Sequence, residues 1–333
     1  MAPGHRVAGA TLRSLPAVSE WWQNAVLYQI YPRSFADHDG DGIGDLPGIT
    51  SKLDHLAWLG VDGLWISPVF PSPNADWGYD VADYCGIHPE LGTLADLDTL
   101  VARASGLGLR VLLDLVPNHT SVEHPWFVDS RSGREAAHRD WYVWADPQPD
   151  GSPPNNWKSA FFGPAWTLDP VTGQYYLQMF LAEQADLNWW SDAVRDEFDR
   201  ILRFWFDRGV DGFRIDVAHM IVKDRLLRDN PPATDDDHFY DRARGQQPVY
   251  TSNRPEVHDV HRRWRRVVRL GSSSARPTSS TSTSSSPSTR RGTRCSWRST
   301  SCCSTRASTP PGCVTSWSAA RRSTRRSPPR AGR

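Results

Sequence analysis

The chain has 333 residues, a formal net charge of zero, 38% hydrophobic residues and 16 Trp. This length suffices for one large α/β domain or two medium ones, and it excludes a small disulfide-stapled protein. No apolar run approaches the roughly 18–20 residues of a membrane helix, and residues 1–20 lack the apolar block of a signal peptide. We therefore expect a cytoplasmic protein that binds no membrane and begins with an N-terminal tail at 1–20.

The alternation of strand and helix patterns predicts an α/β fold. Apolar runs and helical spacings predict, in chain order, a strand at 26–31, a helix at 49–59, a strand at 64–66, a helix at 93–107, a strand at 111–116, a helix at 191–208, a strand at 212–217 and a helix at 258–269. Four such units predict a (β/α)8 TIM barrel of which about the first four βα units are present.

About 70 residues between the third strand and the third helix break this alternation, apart from a strand predicted at 175–180. A gap of this length is usually a functional excursion rather than a plain loop. We therefore expect the first part of a catalytic barrel at 21–119, an inserted domain at 120–185 and the continuation of the barrel at 186–269.

Charge is divided unevenly along the chain. Residues 271–333 hold 12 Arg, 19 Ser, 10 Thr and four of the five Cys, but no Lys, Asp or Glu. Cys85 is the only earlier cysteine, which fits a reducing compartment. The segment 270–333 has three interpretations: a disordered low-complexity tail, a basic arm for nucleic acid, or a coding region read out of frame after about residue 269. We favour the third and expect no nucleic-acid binding, because aromatic residues do not alternate with the arginines.

Charged residues stand at the ends of two predicted strands. Asp114 lies in the third strand and is followed by His119, whereas Arg214 and Asp216 lie two residues apart on the fourth and face the same side. Any one of them could form a buried ion pair of the barrel. Together they favour an active face for acetal cleavage, in which a nearby cation would keep the nucleophilic carboxylate ionised. A retaining glycosidase also needs a second carboxyl roughly 5–5.5 Å away.

Residues 37–45 read Asp-His-Asp-Gly-Asp-Gly-Ile-Gly-Asp and place carboxylates at positions 1, 3, 5 and 9. This spacing is typical of a calcium loop built from oxygen ligands. Position 12, where an EF-hand has Glu, is Gly48, and the loop follows a strand, so the segment is not an EF-hand. A solvated acidic turn is the alternative.

Several segments in order resemble the α-amylase family of glycoside hydrolases, in its α-glucosidase and oligo-1,6-glucosidase branch. The matching segments are Asp-Leu-Val-Pro-Asn-His at 114–119, Gly-Phe-Arg-Ile-Asp-Val-Ala-His at 212–219, Ala-Asp-Leu-Asn at 185–188, Gly-Tyr-Asp at 78–80 and the acidic loop at 37–45. With the pattern between them they cover residues 20–269. The resemblance implies that Asp216 is the nucleophile that forms a β-glucosyl enzyme and that Arg214 orients it.

The resemblance also implies a pocket for a terminal glucose. His119 and Asp76 would bind its hydroxyls, Tyr79 would stack on its ring, and Phe161 and Phe180 would form aromatic walls. For the two phenylalanines, core packing is the alternative.

A structural Ca2+, with Mg2+ as the alternative, is implied by the same resemblance. Its ligands would be the carboxylates of Asp37, Asp39, Asp41 and Asp45 and the carbonyl of Ile43.

The chain departs from the family pattern in its acid/base residue. In the family, a Glu after the fifth strand is the acid/base and an Asp that follows a His near the seventh strand is the third carboxylate. The last Glu here is Glu256 and the last Asp is Asp259, and neither follows a strand. We therefore expect the polypeptide as written to be inactive.

The expected function of the lineage is retaining hydrolysis of terminal α-glucosidic bonds in short oligosaccharides, with a small α-glucoside as substrate. The alternatives are a trehalose synthase-like glucosyl isomerase and a non-catalytic sugar-binding remnant of the fold. Linkage preference and oligomeric state are open.

Overall fold

A computed structural model describes residues 21–271. The predicted tail at 1–20 and all but the first two residues of the predicted segment 270–333 lie outside the described residues, so these interpretations stay predictions. No helix in the described part of the chain is both long and apolar enough to cross a membrane.

Strands and helices alternate as the sequence predicts, with several additional short elements. In chain order they are β1 (Leu27–Ile30), α1 (Pro32–Phe35), α2 (Leu46–Ser51), α3 (Leu53–Leu59), β2 (Gly63–Ile66), α4 (Leu94–Gly106), β3 (Arg110–Leu115), β4 (His119–Ser121), α5 (Pro125–Ser130), β5 (Trp144–Ala145), β6 (Trp166–Leu168), β7 (Tyr175–Leu177), β8 (Gln184–Asp186), α6 (Asp192–Asp207), β9 (Gly212–Ile215), α7 (Phe239–Arg244) and α8 (Val257–Gly271).

Four parallel strands form the central sheet in the order β1-β2-β3-β9. This confirms the predicted α/β class, and four is half the number of strands in a closed TIM barrel. The register places Asp114 of β3 directly opposite Arg214 of β9. Because neighbouring residues at the same register position face the same side of a sheet, these two side chains must lie side by side.

The two faces of the sheet differ in chemistry. One face is apolar and packs into a single core with the helices; it includes Ile30, Ile66, Leu113 and Ile215, each at most 2% exposed. The alternate positions face the opposite side and include the polar or amphipathic residues Gln29, Trp65, Asp114 and Arg214 beside the apolar Leu112. The side-chain period of two thus separates the packed face from the face that carries charge.

Local sequence explains where the helices begin and end. The carboxylate of Asp45 caps α2 by accepting from the Gly48 N–H, and α4 begins with a capping box between Thr93 and Asp96. The single helix predicted at 49–59 is wrong, because Lys52, with φ −102° and ψ 0°, ends α2 and precedes α3.

The predicted insertion contains two small antiparallel sheets. Strands β4 and β8 pair at its base, with His119 opposite Asp186, and β7 lies between β5 and β6. The strand predicted at 175–180 is shorter, since β7 ends at Leu177. A second core, which includes Trp157 and Trp166, packs within this region. Strands of two or three residues are too short for an alternating pattern to be recognised, which explains why the sequence did not predict the others.

The apolar face of the sheet generates a stability prediction. Leu113 is completely buried in the centre of β3, so Leu113→Ala removes apolar contacts and leaves a cavity. We expect the free energy of unfolding to fall by about 2–5 kcal/mol. The exposed Trp58→Ala on α3, whose side chain is 79% exposed, should change it by less than about 0.5 kcal/mol. Urea denaturation of both variants checks this, and equal losses would contradict the assigned burial.

Candidate active site

The centre of the site is one guanidinium shared by two carboxylates. Arg214 Nη1 lies 3.0 Å and 3.1 Å from the two carboxylate oxygens of Asp114 and 2.7 Å from Oδ1 of Asp216. The guanidinium also lies over the Trp65 ring, 4.8 Å from its centroid, and Trp65 Nε1 donates to Asp114. These contacts follow directly from the register of β3 and β9 and place three charged groups at the carboxyl ends of the strands.

Burial opposes the ionised state of both carboxyls. It is the largest influence on Asp216 and raises the pKa of this carboxyl above its usual value, while the Arg214 cation acts in the opposite direction. Burial likewise raises the pKa of Asp114. The sequence-based expectation that the nearby cation lowers the pKa of Asp216 is therefore wrong in its net direction, because burial, which the sequence does not show, outweighs the cation.

The backbone next to Asp216 is strained. Val217 has φ +37°, in the left-handed region that a β-branched residue rarely adopts. The Asp216 N–H donates to the carbonyl of Leu115 at 2.8 Å, and the Val217 N–H donates to the Asp216 carboxylate. Strain that is held in place by hydrogen bonds is typical of functional positions.

The loop at 72–80 carries two predicted sugar-binding residues. The buried Asp80 carboxylate shapes this loop by accepting from the Ser72 hydroxyl at 2.8 Å and from the Asp76 N–H at 2.9 Å. Gly78 has φ +105°, and a Cβ there would lie 3.3 Å from the Pro68 carbonyl oxygen. The loop thereby brings the hydroxyl of Tyr79 to 3.2 Å from Asp114 Oδ2, to which it donates.

His119 and Asp76 are connected through a glutamine. Gln184 Nε2 donates to Asp76 Oδ2 at 2.9 Å and lies 3.0 Å from Nε2 of His119. Burial lowers the pKa of His119 to about 3, so the ring is neutral at pH 7. Burial raises the pKa of Asp76 to about 6, although the Gln184 hydrogen bond lowers it. A neutral imidazole and a carboxylate that contact the same glutamine suit hydroxyl groups as ligands.

The two phenylalanines extend this group of side chains outward. The ring centroid of Phe180 lies 5.2 Å from that of His119, and Phe161 meets Phe180 edge to face at 5.7 Å. Phe161 is 54% exposed and is therefore not a core residue. The structure thus connects Asp76, Tyr79, His119, Phe161 and Phe180 in one continuous group; their contacts with sugar stay predictions.

In the acidic loop the structure brings together three of the five predicted metal ligands. Asp37, Asp39 and Asp45 each have a carboxylate oxygen within 4.8 Å of the others. Asp41 lies outside this group, and its Oδ1 accepts from the Ile43 N–H at 2.7 Å. Hard carboxylate oxygens are the ligands that Ca2+ prefers, so the donor set fits that ion.

Three residues that contact the predicted site were not singled out from the sequence. Gln184 lies on β8, and the buried Lys223, in the loop after β9, pairs with the buried Asp186. One signal was available for Lys223: the chain has 38 Lys and Arg together, of which only three are Lys. No local pattern identifies Gln184, because its two partners come from distant segments.

A parallel sheet that presents ion-paired carboxylates at the carboxyl ends of its strands has the active face of a TIM-barrel enzyme. Residues 29–281 match the family described as "Alpha amylase, catalytic domain", and the chain belongs to this family. The predicted family and barrel class are therefore confirmed.

Similar proteins act on α-glucosides according to their names. A "Probable alpha-glucosidase" of Rhizobium meliloti (strain 1021) is 52% identical over 255 residues, 75% of this chain and 46% of that protein. An "Oligo-1,6-glucosidase" of Heyndrickxia coagulans is 54% identical over 206 residues, 62% of this chain and 37% of that protein. The crystal structure of the alpha-glucosyl transfer enzyme XgtA shares 48% identity with a TM-score of 0.74, covering 76% of this chain and 48% of that one. The chain thus spans less than half the length of these relatives.

The raised pKa of Asp76 generates a pH prediction. Its pKa is about 6 in the folded state against 3.8 as the ordinary value, so the folded protein holds this proton more tightly. The associated stability is complete below about pH 4 and is lost as the pH rises through 6. Asp76→Asn stays neutral and keeps an acceptor for Gln184. We expect its Tm to equal that of the wild type at pH 4 and to exceed it at pH 7.5.

Thermal denaturation at both pH values measures this difference. Asp236→Asn, which neutralises an exposed carboxylate, is the matched control and should show an offset that does not change with pH. An offset for Asp76→Asn that is equally independent of pH would contradict the raised pKa.

Proposed function

We propose that this protein carries the nucleophile half of an α-glucosidase site, for retaining hydrolysis of terminal α-glucosidic bonds in short oligosaccharides. The observation that supports this most directly is the Arg214 guanidinium shared by Asp114 and Asp216 beside the group of Tyr79 and His119. A small α-glucoside is the proposed substrate. The names of the relatives support glucosyl chemistry, although the chain corresponds to only part of their length.

In the proposed reaction, an Asp216 carboxylate oxygen attacks the anomeric carbon of the terminal glucose. The bond from this carbon to the leaving oxygen breaks, and the leaving oxygen takes its electron pair and a proton from a general acid. Arg214 orients the attacking carboxylate through its 2.7 Å hydrogen bond to Oδ1. The neutral His119 ring and the Asp76 carboxylate hold the sugar hydroxyls. In the second step, water cleaves the glucosyl ester, so the product retains the configuration of the substrate.

Among residues 21–271, no carboxyl is placed to act as the general acid of this reaction. The carboxyls that interact electrostatically with Asp216 are Asp114 and Asp76, of which the first is ion-paired with Arg214 and the second bonded to Gln184. A positioned acid is worth about 10²–10⁴-fold in rate. We therefore propose that the chain as written does not hydrolyse ordinary oligosaccharides at a useful rate.

Glucosyl transfer is the second candidate function, and the likeness to the alpha-glucosyl transfer enzyme XgtA favours it. A transferase or a trehalose synthase-like isomerase would form the same glucosyl ester on Asp216 and differ only in the acceptor that attacks it. A non-catalytic sugar-binding remnant would form no ester, so trapping the ester distinguishes it from both enzymes.

The nucleophile can be tested without a general acid. Fluoride leaves an α-glucosyl fluoride without needing a proton, so attack by Asp216 gives the glucosyl ester and a fluoride ion. The absent acid/base also slows the second step, because water needs a base to attack the ester. We therefore expect the 333-residue chain to gain the mass of one glucosyl group on Asp216, measured by intact-protein and peptide mass spectrometry, while maltose leaves it unmodified.

Asp216→Asn should show no adduct, because an amide is a poor nucleophile. Asp192→Asn, in which an 83% exposed carboxylate at the start of α6 is neutralised, should label like the wild type. An unlabelled wild type, or labelling that persists in Asp216→Asn, would overturn the assignment of the nucleophile.

We also propose that the acidic loop binds a structural Ca2+, with Mg2+ as the alternative ion. Asp37, Asp39 and Asp45 would hold it, and the cation would neutralise three carboxylates that now lie close together. The carboxylate of Asp45 also caps α2, so the ion would stabilise the connection between α1 and α2 rather than take part in the reaction.

Calcium should therefore raise the Tm. An ion at about 100 times its Kd stabilises a fold by about 2.7 kcal/mol, and EDTA should remove this gain. Asp37→Asn should abolish the response to Ca2+, whereas Asp235→Asn, at an exposed position, should preserve it. Differential scanning fluorimetry with Ca2+, Mg2+ and EDTA measures the effect. A wild type whose Tm is the same in all three conditions would contradict the metal site.

A further inference from the structure

A buried cation, Lys223, lies next to the predicted sugar pocket and has no part in the proposed reaction. Lys223 is 4% exposed and lies in the loop after β9. Its ammonium pairs with the buried Asp186 of β8 and donates to Oδ1 of the buried Asn118. Asn118 in turn precedes His119, whose ring it contacts. The loop after β9, the base of the insertion and the end of β3 therefore meet at one amide group.

The two charged partners determine which way the Asn118 amide points. An ammonium has three donors and no acceptor, and a carboxylate has acceptors only. Lys223 donates to Asn118 Oδ1, and Asp186 accepts a hydrogen bond from the Asn118 side chain. The amide oxygen must therefore face the lysine, which leaves the Nδ2 group as the donor toward Nδ1 of His119 at 3.1 Å.

One neutral form of the imidazole satisfies more of its neighbours than the other, although neither satisfies all three. If Nδ1 accepts from Asn118, the proton is on Nε2, which can donate to the Tyr79 carbonyl at 3.1 Å. In the opposite tautomer the proton is on Nδ1, and Nε2 could accept from Gln184 Nε2 at 3.0 Å. The Nδ1–H would then face the Asn118 amide donor, and the unprotonated Nε2 would face the Tyr79 carbonyl oxygen. The first tautomer satisfies two contacts and the second only one.

We propose that Lys223 is a positioning residue that, through the Asn118 amide, fixes His119 in the tautomer with its proton on Nε2. Nε2 lies on the side of Tyr79 and Gln184, where the sugar is proposed to bind, so the relay holds the ring in one orientation at that side, with its N–H donated to the Tyr79 carbonyl. Its use in binding rests on the proposed function, whereas the tautomer itself is a property of the protein alone. Fixing one nitrogen through the partner of the other is a recognised way to orient an imidazole.

The proposal is tested by nitrogen NMR on the full chain labelled with 15N-histidine. The His119 resonances are identified by their loss in His119→Gln. At pH 7 we expect Nδ1 at the frequency of an unprotonated imidazole nitrogen and Nε2 at that of a protonated one. The reverse assignment, or averaged frequencies at both nitrogens, overturns the proposal whether or not the protein binds sugar.

Asn118→Asp is the sharpest variant, because it is nearly isosteric and can still accept from Lys223. A carboxylate there cannot donate to Nδ1, so Nδ1 must carry the proton. We expect the two nitrogen frequencies to exchange and the affinity for glucose, measured by calorimetry, to fall at least about tenfold. A folded variant with the wild-type tautomer overturns the relay.

Lys223→Met separates the relay from simple packing. This variant removes the ammonium but keeps a linear apolar side chain, and we expect the Asn118 amide and the His119 tautomer to become mixed. If it does not fold, the wild-type spectrum and Asn118→Asp still decide the question. A wild type with the expected tautomer but without glucose binding would refute the proposed function and leave the relay supported.

Discussion

The shared guanidinium of Arg214 is the interaction on which the site depends. Taking two carboxylates out of water is costly, and the same cation offsets part of this cost for both. This compensation works only if Asp114 and Arg214 are at the same register position on β3 and β9. A shift of either strand by one residue would turn its charged side chain toward the apolar core, so the sheet register and the electrostatics of the site require each other.

The buried Lys223 follows the same logic with different chemistry. The guanidinium of Arg214 is planar and contacts two carboxylates and an aromatic face, whereas the compact ammonium of Lys223 fits a closed space beside Asp186 and Asn118. In a chain that uses Arg almost everywhere, a buried Lys indicates a site that a larger group would not fit. Arg214 connects β9 to Asp114 at the end of β3, and Lys223 connects the loop after β9 to Asn118, which follows β3. The carboxyl ends of these two strands are therefore held together twice.

The sequence predicted the main sheet and the charged strand ends because both are local patterns. The run at 111–116 is apolar apart from Asp114, and the spacing of Arg214 and Asp216 places them on one face. What the sequence did not predict depends on distant partners. Gln184 contacts Asp76, 108 residues away, and Lys223 contacts Asn118, 105 residues away. The helix predicted at 49–59 was wrong for local reasons, because Asp45 caps a helix that begins earlier, at Leu46, and Lys52 ends it before α3.

The pKa of Asp216 is raised above its ordinary value, and this bears on why Arg214 is shared by two carboxylates. A carboxylate that attacks a sugar loses its charge on forming an ester, so a desolvated carboxylate gains more from attack than a well-solvated one. Complete pairing with Arg214 would cancel this gain by stabilising the charged ground state. Asp114 makes two of the three carboxylate contacts of Arg214 Nη1, so the cation is shared. Asp216 is therefore oriented by Arg214, while the cost of its desolvation is only partly offset. In the proposed reaction, Asp114 would thus affect Asp216, without touching it, through their common partner Arg214.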